Sequence, residues 1–111
     1  MIEFTVYRKD GVITGFCSQG HAGYGEQGTD IICAAVSVLV TNTVNSIDLL
    51  TEDLIEEVEQ EDGFLRCRFP EGLSAKGGLL MDSLLLGLRQ IAGITDAEGD
   101  KPFLRLTIEE E

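Results

Sequence analysis

Two Asp-Gly pairs, Asp10-Gly11 and Asp62-Gly63, each stand between short segments that alternate apolar and polar residues. This repeated hairpin signal narrows the possible folds more than any other feature of the chain. In the first hairpin Ile2, Phe4 and Val6 share one face, and Val12 to Gln19 runs back along it. A two-residue turn sets Arg8 opposite Ile13 and Phe4 opposite Cys17, which predicts Cys17 in the core. In the second, Leu54 to Gln60 and Phe64 to Phe69 flank the turn. The same geometry pairs Glu59 with Arg66 and Glu57 with Arg68 on one face and Val58 with Cys67 on the other, so charge and burial agree and Cys67 is also expected in the core.

Between the hairpins, Ile32, Val36, Leu39/Val40, Val44 and Ile47 recur at helical spacing, with Ser37, Thr41, Asn45 and Asp48 as a more polar stripe. The stretch predicts a helix from Asp30 to about Leu50, capped by Thr29 or Asp30. Leu80, Leu84, Leu88 and Ile91 predict a second helix from about Ser74 to Ala92 with Gly93 as its C-terminal cap. Gly77, Gly78 and Gly87 weaken that helix intrinsically and would permit close packing. Phe103 to Ile108 reads as a last strand, and Glu109-Glu110-Glu111 as a solvated tail. The order is ββαββαβ. It predicts one α+β domain over residues 1–111, in two layers, with two helices packed on one face of a largely antiparallel five-stranded sheet.

Apolar residues make up 43% and charged residues 25% of the 111, as in ordinary soluble domains. No uninterrupted apolar run approaches about 18 residues and the first residues already alternate like a strand, so neither a membrane span nor a secretion signal is expected. Three cysteines without a CxxC fit free thiols in a reducing cytoplasm, and with one histidine they make a poor metal set. No metal and no cofactor are expected. The net charge of −12, from 20 acidic and 8 basic residues, argues against direct nucleic-acid binding. It either attracts a basic partner or serves solubility alone.

The remaining segment, Gly20 to Ser37, reads GHAGYGEQGTDIICAAVS and holds the only histidine. Gly20, Gly23, Gly25 and Gly28 make a loop that can bend tightly or move, opened by His21 and followed by a helix whose first turn carries Cys33. Backbone N–H groups and the positive end of a helix dipole there favour a thiolate, so His21 and Cys33 suggest a base and its nucleophile. Asp30 could orient the imidazole or raise the thiol pKa by its own charge. Gly23 to Gly28 also fits G-x-G-x-x-G, with Asp48 about twenty residues on. The strand before it belongs to a hairpin, however, and the chain is too short and too acidic for a doubly wound dinucleotide fold.

Gly20-His21-Ala22, the glycine loop, and Gly28-Thr29-Asp30-Ile31-Ile32-Cys33-Ala34-Ala35-Val36-Ser37 together resemble the signature of the ribosomal-processing cysteine protease family, Prp. The resemblance extends over the whole chain. It implies that Cys33 is the nucleophile, His21 the base, and Gly20, Gly23, Gly25, Gly28, Asp30 and Ser37 their neighbours in the site. It also implies a cytoplasmic homodimer whose substrate is the N-terminal extension of a bacterial large-subunit ribosomal protein, cut after an aromatic residue. The rival reading is a non-catalytic binding or assembly factor for a ribosomal component, with Cys33 merely packed.

Overall fold

In the computed structural model, which describes residues 1–21, 29–95, 99 and 102–111, both Asp-Gly pairs make two-residue turns. The first joins β1 (Ile2–Lys9) to β2 (Val12–Gln19), and the second joins β3 (Glu57–Glu61) to β4 (Phe64–Arg68). Helix α1 (Thr29–Leu50) lies between the hairpins, and α2 (Ala75–Ala92) leads from the second to β5 (Leu104–Glu110). The five strands form one sheet in the order β3-β4-β2-β1-β5. Every pairing is antiparallel except β1 with β5.

Both helices pack on the sheet as expected. Val36, Val40 and Ile47 of α1 and Met81, Leu84, Leu85 and Leu88 of α2 share a core with Ile2, Phe4, Val6, Phe16, Cys67 and Leu104. Phe4 and Phe16 stack with ring centroids 5.2 Å apart, and Phe69 extends the aromatic group. By length and apolarity alone α1 could cross a membrane, with a mean hydropathy of 1.5 over Ile31–Leu50. Here its Val36, Val40 and Ile47 fill the core of the domain.

The second hairpin has the predicted register, with Glu57, Val58 and Glu59 opposite Arg68, Cys67 and Arg66. Glu59 Oε1 and Arg66 Nη2 lie 2.5 Å apart. Cys67 is fully buried, and burial pushes its thiol up to about 11. The first hairpin departs from the prediction. Arg8 does face Ile13, but Tyr7 faces Gly15, so Thr14 is an extra residue in β2 and the ladder shifts by one. Cys17 therefore lies opposite Thr5 rather than Phe4, on the face away from the helices, and Phe16 takes the core position. Half-buried there between Thr5 and Arg66, the Cys17 thiol is also pushed up, first by burial, with the Arg66 charge opposing.

The start of α1 and the C-terminal tail also differ from the sequence reading. Helix α1 starts at Thr29, so Thr29 and Asp30 lie inside it rather than capping it. Helix α2 has its expected ends: Ser74 caps it as its hydroxyl accepts from the Gly77 N–H, and Gly93 closes it after Ala92, with right-handed φ. The acidic tail is not simply solvated. Glu109 and Glu110 continue β5 beside β1, Glu110 pairs with Arg8, Glu111 accepts from the Thr14 hydroxyl, and the Glu111 N–H donates to the Arg8 carbonyl.

Candidate active site

Strand β2 is followed by Gly20, whose φ of +96° is a conformation that favours glycine, and a Cβ there would run into the Met1 carbonyl oxygen. The Gly20 N–H donates to the Gly63 carbonyl at 2.8 Å. Because β2 pairs with β4, Gln19 opposite Phe64, the chain leaving β2 passes directly beside the Asp62-Gly63 turn. His21 is delivered onto that turn. Its Nε2 lies 4.0 Å from Asp62 Oδ2, with 59% of the histidine side chain and 99% of the aspartate side chain exposed. The imidazole lies against Gly63 so closely that a Cβ built there would stand 2.7 Å from Nε2 and 3.1 Å from Cε1.

Cys33 comes from the other side, on α1. Val36 and Val40 bury the same helix in the core, which fixes the position of the cysteine along the sheet. Cys33 is half-buried and Ser37, one turn further on, is exposed. Since α1 begins at Thr29, Cys33 is the fifth helical residue and opens the second turn rather than lying in the first.

Gly20, His21, Cys33 and Ser37 all line one cleft of about 240 Å³. Four of the sequence-predicted site residues are therefore brought together. Gly23, Gly25 and Gly28 lie outside the described residues, as does the side chain of Asp30. The sequence reading missed the far wall, Gln60 to Leu65, together with Ser18 and Thr41. The hairpin that forms this wall was legible, but nothing in its sequence said that β4 would pair with β2. Among the described residues, no three His, Cys, Asp or Glu side chains group as a metal site. A thiol and an imidazole facing one open cleft are the parts of a cysteine hydrolase, nucleophile and proton carrier.

Comparison with known proteins points the same way. The family model for cysteine protease Prp matches residues 1–97. The ribosomal processing cysteine protease Prp of Bacillus subtilis (strain 168) is 33% identical over 98 residues, covering 82% of this chain and 87% of that protein. The crystal structure of the essential ribosomal processing protease Prp from S. aureus with a covalently linked product peptide superposes with a TM-score of 0.79 at 28% identity, over 98% of this chain and 100% of that one. The same S. aureus protease with a substrate peptide gives 0.79 at 26% identity over the same shares. The chain belongs to the cysteine protease Prp family and is a cysteine-type endopeptidase.

Proposed function

We propose that this endopeptidase removes the N-terminal extension of a bacterial large-subunit ribosomal protein by cutting after an aromatic residue, with Cys33 as nucleophile and His21 as its acid and base. The observation that carries the residue assignment is the convergence of Cys33 from α1 and His21 from the end of β2 on one cleft. The relatives, which are named for ribosomal processing, support the substrate. The Cys33 thiolate attacks the scissile carbonyl carbon, and the protonated imidazole of His21 gives its proton to the leaving amine. Water then attacks the thioester, the imidazole takes a proton from it, and Cys33 leaves as thiolate. A homodimer is part of the proposal. The apolar side chains that α1 and α2 expose, Val38, Leu49, Leu79 and Leu86, are surface a second copy would cover.

Incubating the protein with the ribosomal precursor of its own cell and reading the new N-terminus by mass spectrometry tests the proposal. A single cut following an aromatic residue, lost in Cys33→Ala, is expected. An uncut precursor, or cleavage unchanged in Cys33→Ala, would refute it.

A further inference from the structure

We propose that the Asp62-Gly63 turn is a positioning element that seats the His21 imidazole for its work with Cys33, an inference that rests on the dyad assigned above. His21 is more than half exposed, so packing in the core does not hold its ring. Among the described residues, the ring lies against the turn. A Cβ on Gly63 would stand 2.7 Å from its Nε2, that Nε2 lies 4.0 Å from the Asp62 carboxylate, and the residue before it is tied to the Gly63 carbonyl by a backbone hydrogen bond. The turn is anchored to the sheet, because β4 is paired on both sides, with β3 and with β2. The seat thus transfers the order of the sheet to a side chain at the margin of a glycine-rich segment. The Asp62 carboxylate is fully exposed, so salt should screen what it contributes to holding the ring.

A glycine is needed at position 63 for two separable reasons. Its φ is +71°, and a Cβ would displace the imidazole. Gly11 in the first hairpin has the same backbone demand, φ +80°, with nothing within 4 Å of a Cβ, so Gly11→Ala serves as a control for strain alone.

The test is steady-state cleavage of a peptide turned over by the parent enzyme, combined with the rate of Cys33 alkylation by iodoacetamide near neutral pH. Gly63→Ala is expected to lower kcat by about 10- to 100-fold with KM within about twofold, the scale on which a misplaced catalytic group costs rate. Alkylation should slow as well. Gly11→Ala should lose similar thermal stability and keep kcat. Asp62→Asn should lower kcat/KM a few-fold at low salt, with the deficit shrinking at high salt, and Asp62→Glu should restore part of it. Equal kcat for Gly63→Ala and Gly11→Ala, with His21→Ala inactive, would overturn the seat and leave the dyad standing. Full turnover by His21→Ala would overturn both. If Gly63→Ala does not fold, the Asp62 variants decide, and an Asp62→Asn enzyme identical to the parent at low salt overturns the proposal.

Discussion

Cys33 and His21 line the same cleft from opposite sides, one carried by a helix buried in the core and the other by the exposed end of a strand. Their supports differ, and so should the effects of removing them. Cys33→Ala should abolish cleavage while leaving thermal unfolding and peptide binding close to the parent, since a half-buried thiol contributes little packing. His21→Ala should slow cleavage by at least about a hundredfold, the usual scale for an acid–base partner, and should also slow alkylation of Cys33. Unchanged Cys33 reactivity without His21 would show that the two groups do not act as a pair.

The three thiols should separate in native-state alkylation followed by mass analysis. Cys33 should react first and Cys17 more slowly, because burial disfavours its thiolate. Cys67 should react only on unfolding. Cys67→Ala should cost on the order of 1 to 2 kcal/mol and Cys17→Ala less, measured by denaturant unfolding.

A second consequence of the buried Cys67 concerns alkaline stability. The folded state holds the thiol in its neutral form, with the pKa raised from 9.0 to about 11. Stability from this group is therefore complete below pH 9 and is lost as pH rises towards about 11, since only the unfolded chain ionises readily in that window. The parent should lose stability between pH 9 and 11 more steeply than Cys67→Ala. Parallel losses would show that the thiol ionises as easily folded as unfolded.

The two hairpins show what the sequence can and cannot specify. In the second, opposite charges and an apolar pair fixed the same register independently, and Glu59 indeed meets Arg66. In the first, the turn and the pairing of Arg8 with Ile13 were right, but the bulge at Thr14 reversed every residue beyond it and moved Cys17 off the core face. The signal was present in Gly15, a glycine inside a strand pattern, where a Cβ would stand 2.8 Å from the Cys67 carbonyl. Of the cleft residues, His21 and Cys33 were read from the sequence because a base and a nucleophile are restricted to a few residue types, and Ser37 from the family resemblance. Asp62 and Gly63 were not, because their place beside His21 depends on β2 pairing with β4, a contact between segments more than forty residues apart that leaves no local pattern.

Charge at the cleft leads to a prediction about substrate. Glu61 and Asp62 lie on its wall in a protein of net charge −12. A peptide with Lys or Arg near the scissile bond should be cut with higher kcat/KM than its neutral counterpart, and the advantage should fall as salt rises through about 0.15 M, where the Debye length is roughly 8 Å. A flat salt profile for both peptides would mean that the acidic surface serves solubility alone.

The last prediction concerns adjacent glycines in α2 that look interchangeable in the sequence. Asp53 accepts from the backbone N–H and the hydroxyl of Ser74, and the same hydroxyl accepts from the Gly77 N–H, so the start of the helix is fastened to the segment after α1. Gly77 is buried in this arrangement, and a Cβ on it would run into Asp53 Oδ2 and stand 3.0 Å from Leu73 Cδ2. Gly78 has nothing within 4 Å of the same position. In an open helix, alanine in place of glycine stabilises by about 0.5 to 1 kcal/mol through propensity, and Gly78→Ala should gain that amount. Gly77→Ala gains the same propensity but forces the Asp53 carboxylate away from Ser74, which removes the hydrogen bonds that fasten the cap. Losing a cap costs about 1 kcal/mol or more, so Gly77→Ala should be net destabilising. The two variants should therefore shift the denaturation midpoint in opposite directions. In an Asp53→Ala background the Gly77→Ala penalty should largely vanish, because the carboxylate that the new methyl displaces is gone. A penalty that persists there would place the conflict at Leu73 instead.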